Sequence, residues 1–538
     1  MAGLTLASRF AGLARDAVCS RVFGAGPLWS AFAFAFLVPN LFRRLFGEGA
    51  LTAAFLPRYT ALYEKDPHTA RRFARTVTTL TASTLIILVL LGEVALWIGH
   101  RQTVAASHSE RTLALQLTMI MLPYMPLVCL VALLGAVLQV HGRFGPTAAA
   151  PVILNIVMIS AALAPLALAG SGGGQDVSPS LEWAVHLVAL AVVVAGVIQL
   201  LWSILALRGA KPSPTREPTT THIEPVGPEV RSMLKTMLPM LLGLGVIQLN
   251  TFFDGLIASY PVLVGPTIFG DVAYPLDLKS NAILSFTQRL YQFPLGVFGI
   301  AIATAIFPAL ARAAARAAGD DGHAFRQTLI RGLRLSLFIS LPASIGLILV
   351  RLPLATTVFQ GGNFEAADTP RIGAVLTGYA PGVCAYALIH LLTRAYYARD
   401  NATTPVRISV AMVVLNLILN VTLIWPMGEA GLAWSTSLCA WIQVIWLGAR
   451  LRVIDTHGVF RPVFSAIGPL LASSAIMTVA VFVVQWALPV SYMNGWLSST
   501  TELLALACAG IVVFMIAAKV LRQPELGWLL SGKEDLPS

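Results

Sequence analysis

Long apolar runs separated by short polar clusters follow one another along nearly the whole chain. Each run holds about 20 residues, enough to cross the roughly 30 Å hydrocarbon core of a bilayer as an α-helix. Dividing the chain at proline, glycine and charged clusters predicts fourteen helical segments. Their approximate ranges are 4–24, 28–63, 76–99, 113–140, 147–169, 182–207, 230–260, 280–315, 326–350, 370–398, 404–426, 430–450, 463–489 and 499–522. The long second segment contains a Gly-Glu-Gly sequence, so we expect it to bend near residues 47–49.

Two pairs of short motifs repeat along the chain. Residues 124–133 resemble residues 379–388, and residues 50–57 resemble residues 301–308. The two offsets, 255 and 251 residues, differ by only four, which favours duplication over chance. The predicted fold class is therefore an all-α polytopic membrane protein with fourteen transmembrane helices, namely two six-helix lobes in parallel pseudo-repeat plus two C-terminal helices. The predicted divisions are an N-lobe at 1–208, a cytoplasmic linker at 209–229, a C-lobe at 230–452 and a last helix pair with a short tail at 453–538.

Composition agrees with a membrane protein, because 57% of the residues are hydrophobic and only 11% are charged, against about 25% charged in soluble domains. The formal net charge is +11. Lysine and arginine concentrate in alternate loops, a bias that predicts both termini in the cytoplasm. The excess positive charge then faces anionic lipid, so no nucleic-acid partner is expected. The five cysteines lie in apolar segments without metal-type spacing, and we interpret them as core residues.

Ionisable side chains within the predicted spans are the main candidates for function. They occur in the first, second, seventh and eighth segments: Arg15, Asp16, Arg21, Arg43, Arg44, Glu48, Asp254 and Arg289. An arginine facing lipid would cost roughly 2.5–3.5 kcal/mol, so these groups should face a wet cavity or one another. Internal pairing is one interpretation, since Arg44 and Glu48 are four residues apart and Asp16 can neutralise a neighbouring arginine. Arginines outnumber acids in this set, however, and guanidinium groups bind phosphate in a bidentate manner, which favours a large anionic substrate.

A second polar group is found mostly in the C-terminal half. Its members are Asp254, Asn416, Asn420 and Thr436. One carboxylate with amide and hydroxyl oxygens suits a small hard cation such as Na⁺. Hydrogen bonding between helices explains the same residues equally well. The sequence contains no phosphate-binding loop, zinc-hydrolase helix or nucleophile elbow, so no enzymatic activity is predicted.

Several motifs resemble those of the MurJ/MviN family of lipid II flippases. They are residues 8–16 (SRFAGLARD), 21–26 (RVFGAG), 39–50 (PNLFRRLFGEGA) and 288–299 (QRLYQFPLGVFG). The resemblance runs over nearly the whole chain. It implies the multidrug/oligosaccharidyl-lipid/polysaccharide exporter fold, with two lobes around a cationic cavity and the last two helices forming a groove for a lipid tail.

The resemblance also implies roles for individual residues. The substrate-binding set is Arg15, Asp16, Arg21, Arg43, Arg44, Glu48 and Arg289, and the sodium-binding set is Asp254, Asn416, Asn420 and Thr436. The chain departs from the family pattern at Ser30, Gln288 and Gln292, where many members carry acids, and at Asn420, where sodium-binding members often carry aspartate. The loop at 261–280 is longer than usual.

The implied function is transfer of lipid II, an undecaprenyl-pyrophosphate-linked disaccharide-peptide, from the inner to the outer leaflet of the bacterial cytoplasmic membrane by alternating access. Lipid II, membrane lipids and cell-wall synthesis proteins are the expected partners. No cofactor is expected, and coupling to Na⁺ or to the membrane potential is left open. The alternatives are a flippase for another polyprenyl-pyrophosphate-linked oligosaccharide, a drug/cation antiporter of the same fold, a membrane enzyme acting on polyprenyl phosphates, and a scaffold for cell-wall synthesis.

Overall fold

The computed structural model describes residues 2–47, 50–105, 109–169, 178–208, 226–316, 322–454, 456, 458–488 and 496–531. Within these residues the chain is almost entirely helical. The α-helices are α1 (Ala2–Phe23), α2 (Pro27–Phe42), α3 (Ala50–Lys65), α4 (Pro67–Ala105), α5 (Ser109–Met121), α6 (Tyr124–Val140), α7 (Gly145–Ala169), α8 (Ser178–Arg208), α9 (Gly227–Ala258), α10 (Tyr260–Leu263), α11 (Ser280–Pro294), α12 (Ile300–Arg316), α13 (His323–Leu349), α14 (Arg351–Phe359), α15 (Asp368–Ala398), α16 (Thr403–Met427), α17 (Glu429–Ala449), α18 (Phe460–Ala487), α19 (Trp496–Val520) and α20 (Pro524–Ser531).

The predicted all-α polytopic membrane fold is confirmed. All fourteen predicted segments are helical, and in the described ranges ten helices are long and apolar enough to cross a membrane. The other four predicted segments correspond to α1, α2 with α3, α9, and α11 with α12. These are the segments that carry the ionisable side chains, so their membrane crossing, and the total of fourteen spans, stays a prediction.

Two five-residue π-helical segments, Arg43–Gly47 and Leu295–Gly299, interrupt the second and eighth predicted segments. A π-helical turn widens the helix and is common at functional sites. The bend predicted near residues 47–49 falls at the end of the first π segment, and residues 48 and 49 lie outside the described ranges. The repeat motifs 50–57 and 301–308 each follow one of these segments within a few residues, so the two halves share an unusual backbone feature as well as a sequence motif.

Contacts divide the chain into two compact units, Met1–Ala282 and Ile283–Ser538. In the first unit, α1 packs on α7, α7 on α8, α2 on α5, and α3 on α9. An aromatic core lies beside α3, where Phe55 stacks on Tyr59 and Phe73 with ring centroids 5.4 and 5.5 Å apart.

Helix α9 was predicted as the first helix of the C-lobe but lies in this unit, because it packs against α2 and α3. The division into two six-helix lobes therefore stays a prediction.

A histidine at the end of α6 packs into this aromatic region. The Tyr59 hydroxyl lies 3.2 Å from His141 Nε2, and the Tyr63 ring meets the imidazole edge-on at 4.8 Å between centroids. Burial lowers the pKa of His141, and the positive charges of Arg71 and Arg143 lower it further. The folded protein therefore disfavours protonation of this side chain.

Acidification is expected to destabilise the protein in part through His141. The folded-state pKa is lower than the unfolded value near 6.5, so below about pH 6.5 the unfolded chain binds more protons and stability falls. Above that pH both states are neutral and the contribution vanishes. Melting curves from pH 5 to 8 should show a weaker decline for His141→Asn than for the native chain. Parallel declines in the two proteins would contradict this assignment.

Helix α15 is central to the second unit and packs on both α13 and α17. The Tyr396 hydroxyl donates to the Leu447 carbonyl at 2.7 Å, and the Ser437 hydroxyl donates to the Gly378 carbonyl at 2.5 Å. Both bonds join α15 to α17 within the apolar interior. Helices α18 and α19 pack on each other, and α18 also packs on α13.

Gly431 permits a close approach between α16 and α17. A Cβ atom at this position would lie 2.3 Å from the Leu423 carbonyl oxygen, a backbone atom that cannot swing away. Gly431→Ala is therefore expected to destabilise the second unit by about 1–3 kcal/mol, the usual cost of overpacking. The control is Gly468→Ala in α18, where a Cβ would meet nothing within 4 Å and where alanine should stabilise the helix by about 0.5–1 kcal/mol. Melting temperatures that move in the same direction for both variants would contradict the close contact.

The long loop at 261–280 contains a β-hairpin in which Thr267–Ile268 pairs antiparallel with Val272–Ala273. The rings of Tyr260 and Tyr274 stack at 4.3 Å beneath it, and the Tyr274 hydroxyl donates to the Ile257 carbonyl at 3.1 Å. These contacts hold the hairpin on the end of α9. The hairpin is therefore anchored to the first unit by these contacts.

Candidate substrate site

Arg15 and Asp16 form a buried ion pair on α1. Arg15 is 7% exposed and Asp16 is 4% exposed. The guanidinium Nε and Nη2 donate to Asp16 Oδ1 at 2.8 and 2.5 Å. Internal pairing was one of the two interpretations of Asp16 drawn from the sequence. The carboxylate compensates the arginine charge in an apolar environment. Whether either residue touches substrate stays a prediction.

Asn155 of α7, which was not among the residues predicted from sequence, completes this cluster. Arg15 Nη1 donates to Asn155 Oδ1 at 3.1 Å, and Asn155 Nδ2 lies 3.4 Å from the Ser8 carbonyl oxygen, to which it donates. The amide thus bridges the arginine and the α1 backbone. An asparagine within the apolar run 147–169 is the signal that could have identified it, because buried amides in membrane spans need partners.

Arg43 and Arg44 begin the first π-helical segment and donate to different helices. Arg43 Nε and Nη2 donate to Asn40 Oδ1 of α2 at 3.2 and 3.0 Å. Arg44 Nη1 donates to Gln248 Oε1 of α9 at 3.0 Å. These two acceptors are neutral amides that were not among the residues predicted from sequence. Glu48, the predicted partner of Arg44, lies outside the described residues.

Arg289 lies on α11 in the second unit and is half-buried. Its neighbours fix the orientation of the helix, since Gln288 Nε2 donates to the Tyr379 hydroxyl at 3.3 Å and the Tyr291 ring stacks on Tyr379 at 4.3 Å. Arg289 lies about 100° around the helix axis from Gln288. Its position on the helix is therefore off the side on which Gln288 and Tyr291 meet Tyr379.

The predicted substrate-binding residues are divided between the two units. The first unit holds the described residues Arg15, Asp16, Arg21, Arg43 and Arg44, and Arg21 lies in the last turn of α1. The second unit holds Arg289. A single cationic cavity that contains all of them stays a prediction.

Ser30, which stands where many members of the resembled family carry an acid, joins α2 to the start of α11. Its hydroxyl oxygen accepts a hydrogen bond from the Ala282 N–H at 3.1 Å, and its carbonyl accepts one from Asn281 Nδ2 at 3.2 Å. All three residues are buried. The serine satisfies an N–H of the first turn of α11, which has no acceptor within its own helix.

Two of the residues predicted to bind sodium hydrogen-bond to each other in the second unit. Asn420 Nδ2 donates to Asn416 Oδ1 at 3.2 Å, and Asn416 Nδ2 donates to Ser435 Oγ at 3.3 Å. The Ser435 hydroxyl also lies against Asn420 Oδ1, while Thr436 donates to the Leu432 carbonyl. This arrangement corresponds to the interhelical alternative, and Ser435 is a member that the sequence did not identify. Asp254 is buried on α9 of the first unit, so the four-residue sodium site stays a prediction.

The interhelical alternative predicts that Na⁺ leaves the thermal stability of the native chain unchanged. In this alternative the amide oxygens of Asn416 and Asn420 already accept hydrogen bonds from the protein. Na⁺ then binds only weakly, and a weakly bound ion adds little stability. The measurement compares melting temperatures in NaCl and KCl at equal ionic strength. Asn420→Asp, which supplies a carboxylate, is the matched variant and should melt higher in NaCl. A rise specific to sodium in the native chain would instead support the four-residue site.

Comparisons with known proteins give one consistent result. The sequence model of the family described as "Lipid II flippase MurJ" matches residues 19–508. The "Probable lipid II flippase MurJ" of Vibrio cholerae is 31% identical, with 96% of this chain and 93% of that protein covered. The "Lipid II flippase MurJ" of Burkholderia cenocepacia is 29% identical, with 96% and 94% covered.

Solved structures show the same fold. A "Lipid II flippase MurJ, inward closed conformation" superposes with a TM-score of 0.74 at 22% identity, over 97% of this chain and 100% of that chain. An inward-facing multidrug-resistance transporter of the MATE family superposes less closely, with a TM-score of 0.56 at 13% identity over 83% and 95%. At these identities both likenesses concern the fold alone.

Proposed function

Because the chain belongs to the MurJ family of lipid II flippases, we propose that it moves lipid II from the cytoplasmic to the outer leaflet of the cytoplasmic membrane. The observation that carries this proposal is the family match over residues 19–508, which includes most of the apolar spans and the charged segments between them. The substrate is a lipid with a large anionic headgroup. The proposed activity is transport, with no bond made or broken.

The substrate headgroup is recognised through the arginines of α1, the first π-helical segment and α11. A pyrophosphate offers paired oxygens that match the planar fork of a guanidinium group. Arg43 and Arg44 project in different directions from consecutive positions, toward α2 and α9. A hydrogen bond from either arginine to a phosphate would be stronger than its hydrogen bond to a neutral amide. Arg15, whose guanidinium pairs with Asp16, also holds the interior of α1 in place.

Transport proceeds by alternating access, in which one lobe moves against the other and exposes the headgroup on one side at a time. The π-helical segments support this proposal, since irregular turns within spans are common at functional positions. The prenyl tail stays in lipid beside α18 and α19. Both termini lie in the cytoplasm, as the distribution of lysine and arginine favours. Energy comes from the membrane potential or an ion gradient.

A replacement experiment tests the substrate. A host is depleted of its own lipid II flippase and supplied with this chain, and the amount of lipid II in the outer leaflet is followed. Rescue by the native chain is the expected result. Failure to rescue despite normal abundance and insertion in the membrane would contradict lipid II as the substrate. A second assay in liposomes that hold another polyprenyl-pyrophosphate-linked oligosaccharide then distinguishes the alternative glycolipid.

A further inference from the structure

Glu502 of α19 is a buried carboxyl group inside an apolar helix. The residue is only 5% exposed, and its Oε2 atom has no hydrogen-bond partner in the described ranges. Helix α19 spans 25 residues, is apolar enough to cross a membrane, and carries only one other charged residue, Lys519 in its last turn. Nothing in the proposed transport of lipid II uses this acid.

Among the described residues, no charged side chain of the elements that pack against α19 forms an ion pair with Glu502. These elements are α18, α14, α13 and α20. The charged side chains of α18, α13 and α20 are Arg461, Arg326, Arg331, Arg334 and Glu525, and the ionisable His323 also belongs to α13. Those of α18 and α13 lie in the first half of each helix, and Glu525 pairs with Arg334 at 2.6 Å. Arg351 is the one charged residue of α14, and its Nη1 donates to the Ile348 carbonyl at 2.7 Å.

An ionised carboxylate needs water, a cation or several donors, and a buried one without them is much less stable than the neutral acid. We propose that Glu502 is a proton-binding site within the membrane, and that its carboxyl group holds a proton in the conformation described here. The ligand is the proton itself. This site is separate from the arginines assigned to the substrate headgroup.

The contact between α14 and α19 controls access of water to this site. Trp496 Nε1 donates to the Thr357 carbonyl at 2.9 Å and joins the first turn of α19 to α14. Glu502 lies six residues further along the helix, about 9 Å at 1.5 Å per residue. Ser499, one turn before Glu502, is fully buried. Opening of this contact admits water to Glu502, after which the acid ionises and releases its proton.

Infrared spectroscopy in lipid bilayers tests the protonation state directly. The native chain at pH 7 should show a carbonyl band from a protonated carboxyl group that is absent in Glu502→Gln. The matched control is Glu525→Gln, because Glu525 is equally buried at 4% exposure but pairs with Arg334. That variant should retain the band. An identical carbonyl region in the native and Glu502→Gln proteins would overturn the proposal.

Carbodiimide labelling provides a second measurement that requires no variant to fold. The reagent adds to protonated carboxyl groups in apolar surroundings, so peptide mapping of the native protein should find the adduct on Glu502 and none on Glu525. An unlabelled Glu502 under conditions that label other membrane carboxyl groups would count against the proposal. Neither measurement involves lipid II, so failure here and failure of the proposed transport function are distinguishable.

The role of the α14–α19 contact is tested with Trp496→Phe, which keeps an aromatic ring and removes the N–H donor. The pH at which the carbonyl band of Glu502 disappears should fall by about one unit, a tenfold weaker proton affinity. An unchanged midpoint in this variant would show that the contact does not control the site.

Discussion

Arg289→Ala is expected to reduce lipid II transport by at least about tenfold while the protein still inserts and folds. A charge-assisted hydrogen bond is worth about 1.5–3 kcal/mol, and 1.4 kcal/mol corresponds to a factor of ten. The contact of α11 with α15 persists in the variant, because Gln288 and Tyr291 make it. The measurement is the rate of lipid II appearance in the outer leaflet of flippase-depleted cells, at matched protein abundance.

Two control variants separate charge from packing at this position. Arg289→Lys keeps the charge but loses the bidentate fork, so transport should be intermediate. Leu91→Ala removes a side chain of α4 that is 64% exposed, and transport should match the native chain. Native rates in Arg289→Ala would remove this arginine from the proposed substrate site and leave the flippase assignment to the replacement experiment.

Breaking the Arg15–Asp16 pair is expected to cause the largest loss of stability among single substitutions in α1. Removing one partner of a buried ion pair costs about 3–5 kcal/mol, because the other charge remains buried and uncompensated. Arg15→Ala would remove the guanidinium that pairs with Asp16, and Asp16→Ala would leave Arg15 buried with Asn155 Oδ1 as its side-chain oxygen acceptor among the described residues. Unfolding free energies of both purified variants, measured with denaturant in detergent, provide the comparison.

The double variant Arg15→Ala/Asp16→Ala is the informative control for this pair. It leaves no buried charge at these two positions, so its destabilisation should be smaller than the sum of the two single effects by about 0.5–3 kcal/mol. Asn155→Ala removes one hydrogen-bond acceptor of Arg15 and should cost about 1–3 kcal/mol. Strict additivity would contradict a coupled pair. Because Arg15→Ala is expected to lose stability, a loss of transport in this variant has to be compared with its unfolding free energy. Arg289→Ala is therefore the better test of substrate binding.

The sequence was sufficient to predict the helical segments and the membrane class. A bilayer satisfies no backbone hydrogen bonds, so an apolar run of span length has to form them within its own helix. This local rule placed a helix at each of the fourteen predicted segments. The motif residues also resembled those of the family to which the chain belongs. The β-hairpin at 267–273 escaped prediction, since its two-residue strands are too short to show an alternating pattern.

The partners of the polar residues were decided by tertiary structure. Asn155 is 140 residues from Arg15, Gln248 is 204 residues from Arg44, and Asn281 is 251 residues from Ser30. Charge and spacing on one helix show that such a residue needs a partner, but the partner depends on which helices pack together and on the rotation of each about its axis. Packing also distinguishes Glu525, which meets Arg334, from Glu502, whose Oε2 meets no donor among the described residues. The sequence by itself therefore determined where the helices and the ionisable groups lie along the chain. Only the tertiary structure decided which of those groups are compensated, because compensation requires contact between positions far apart in the chain.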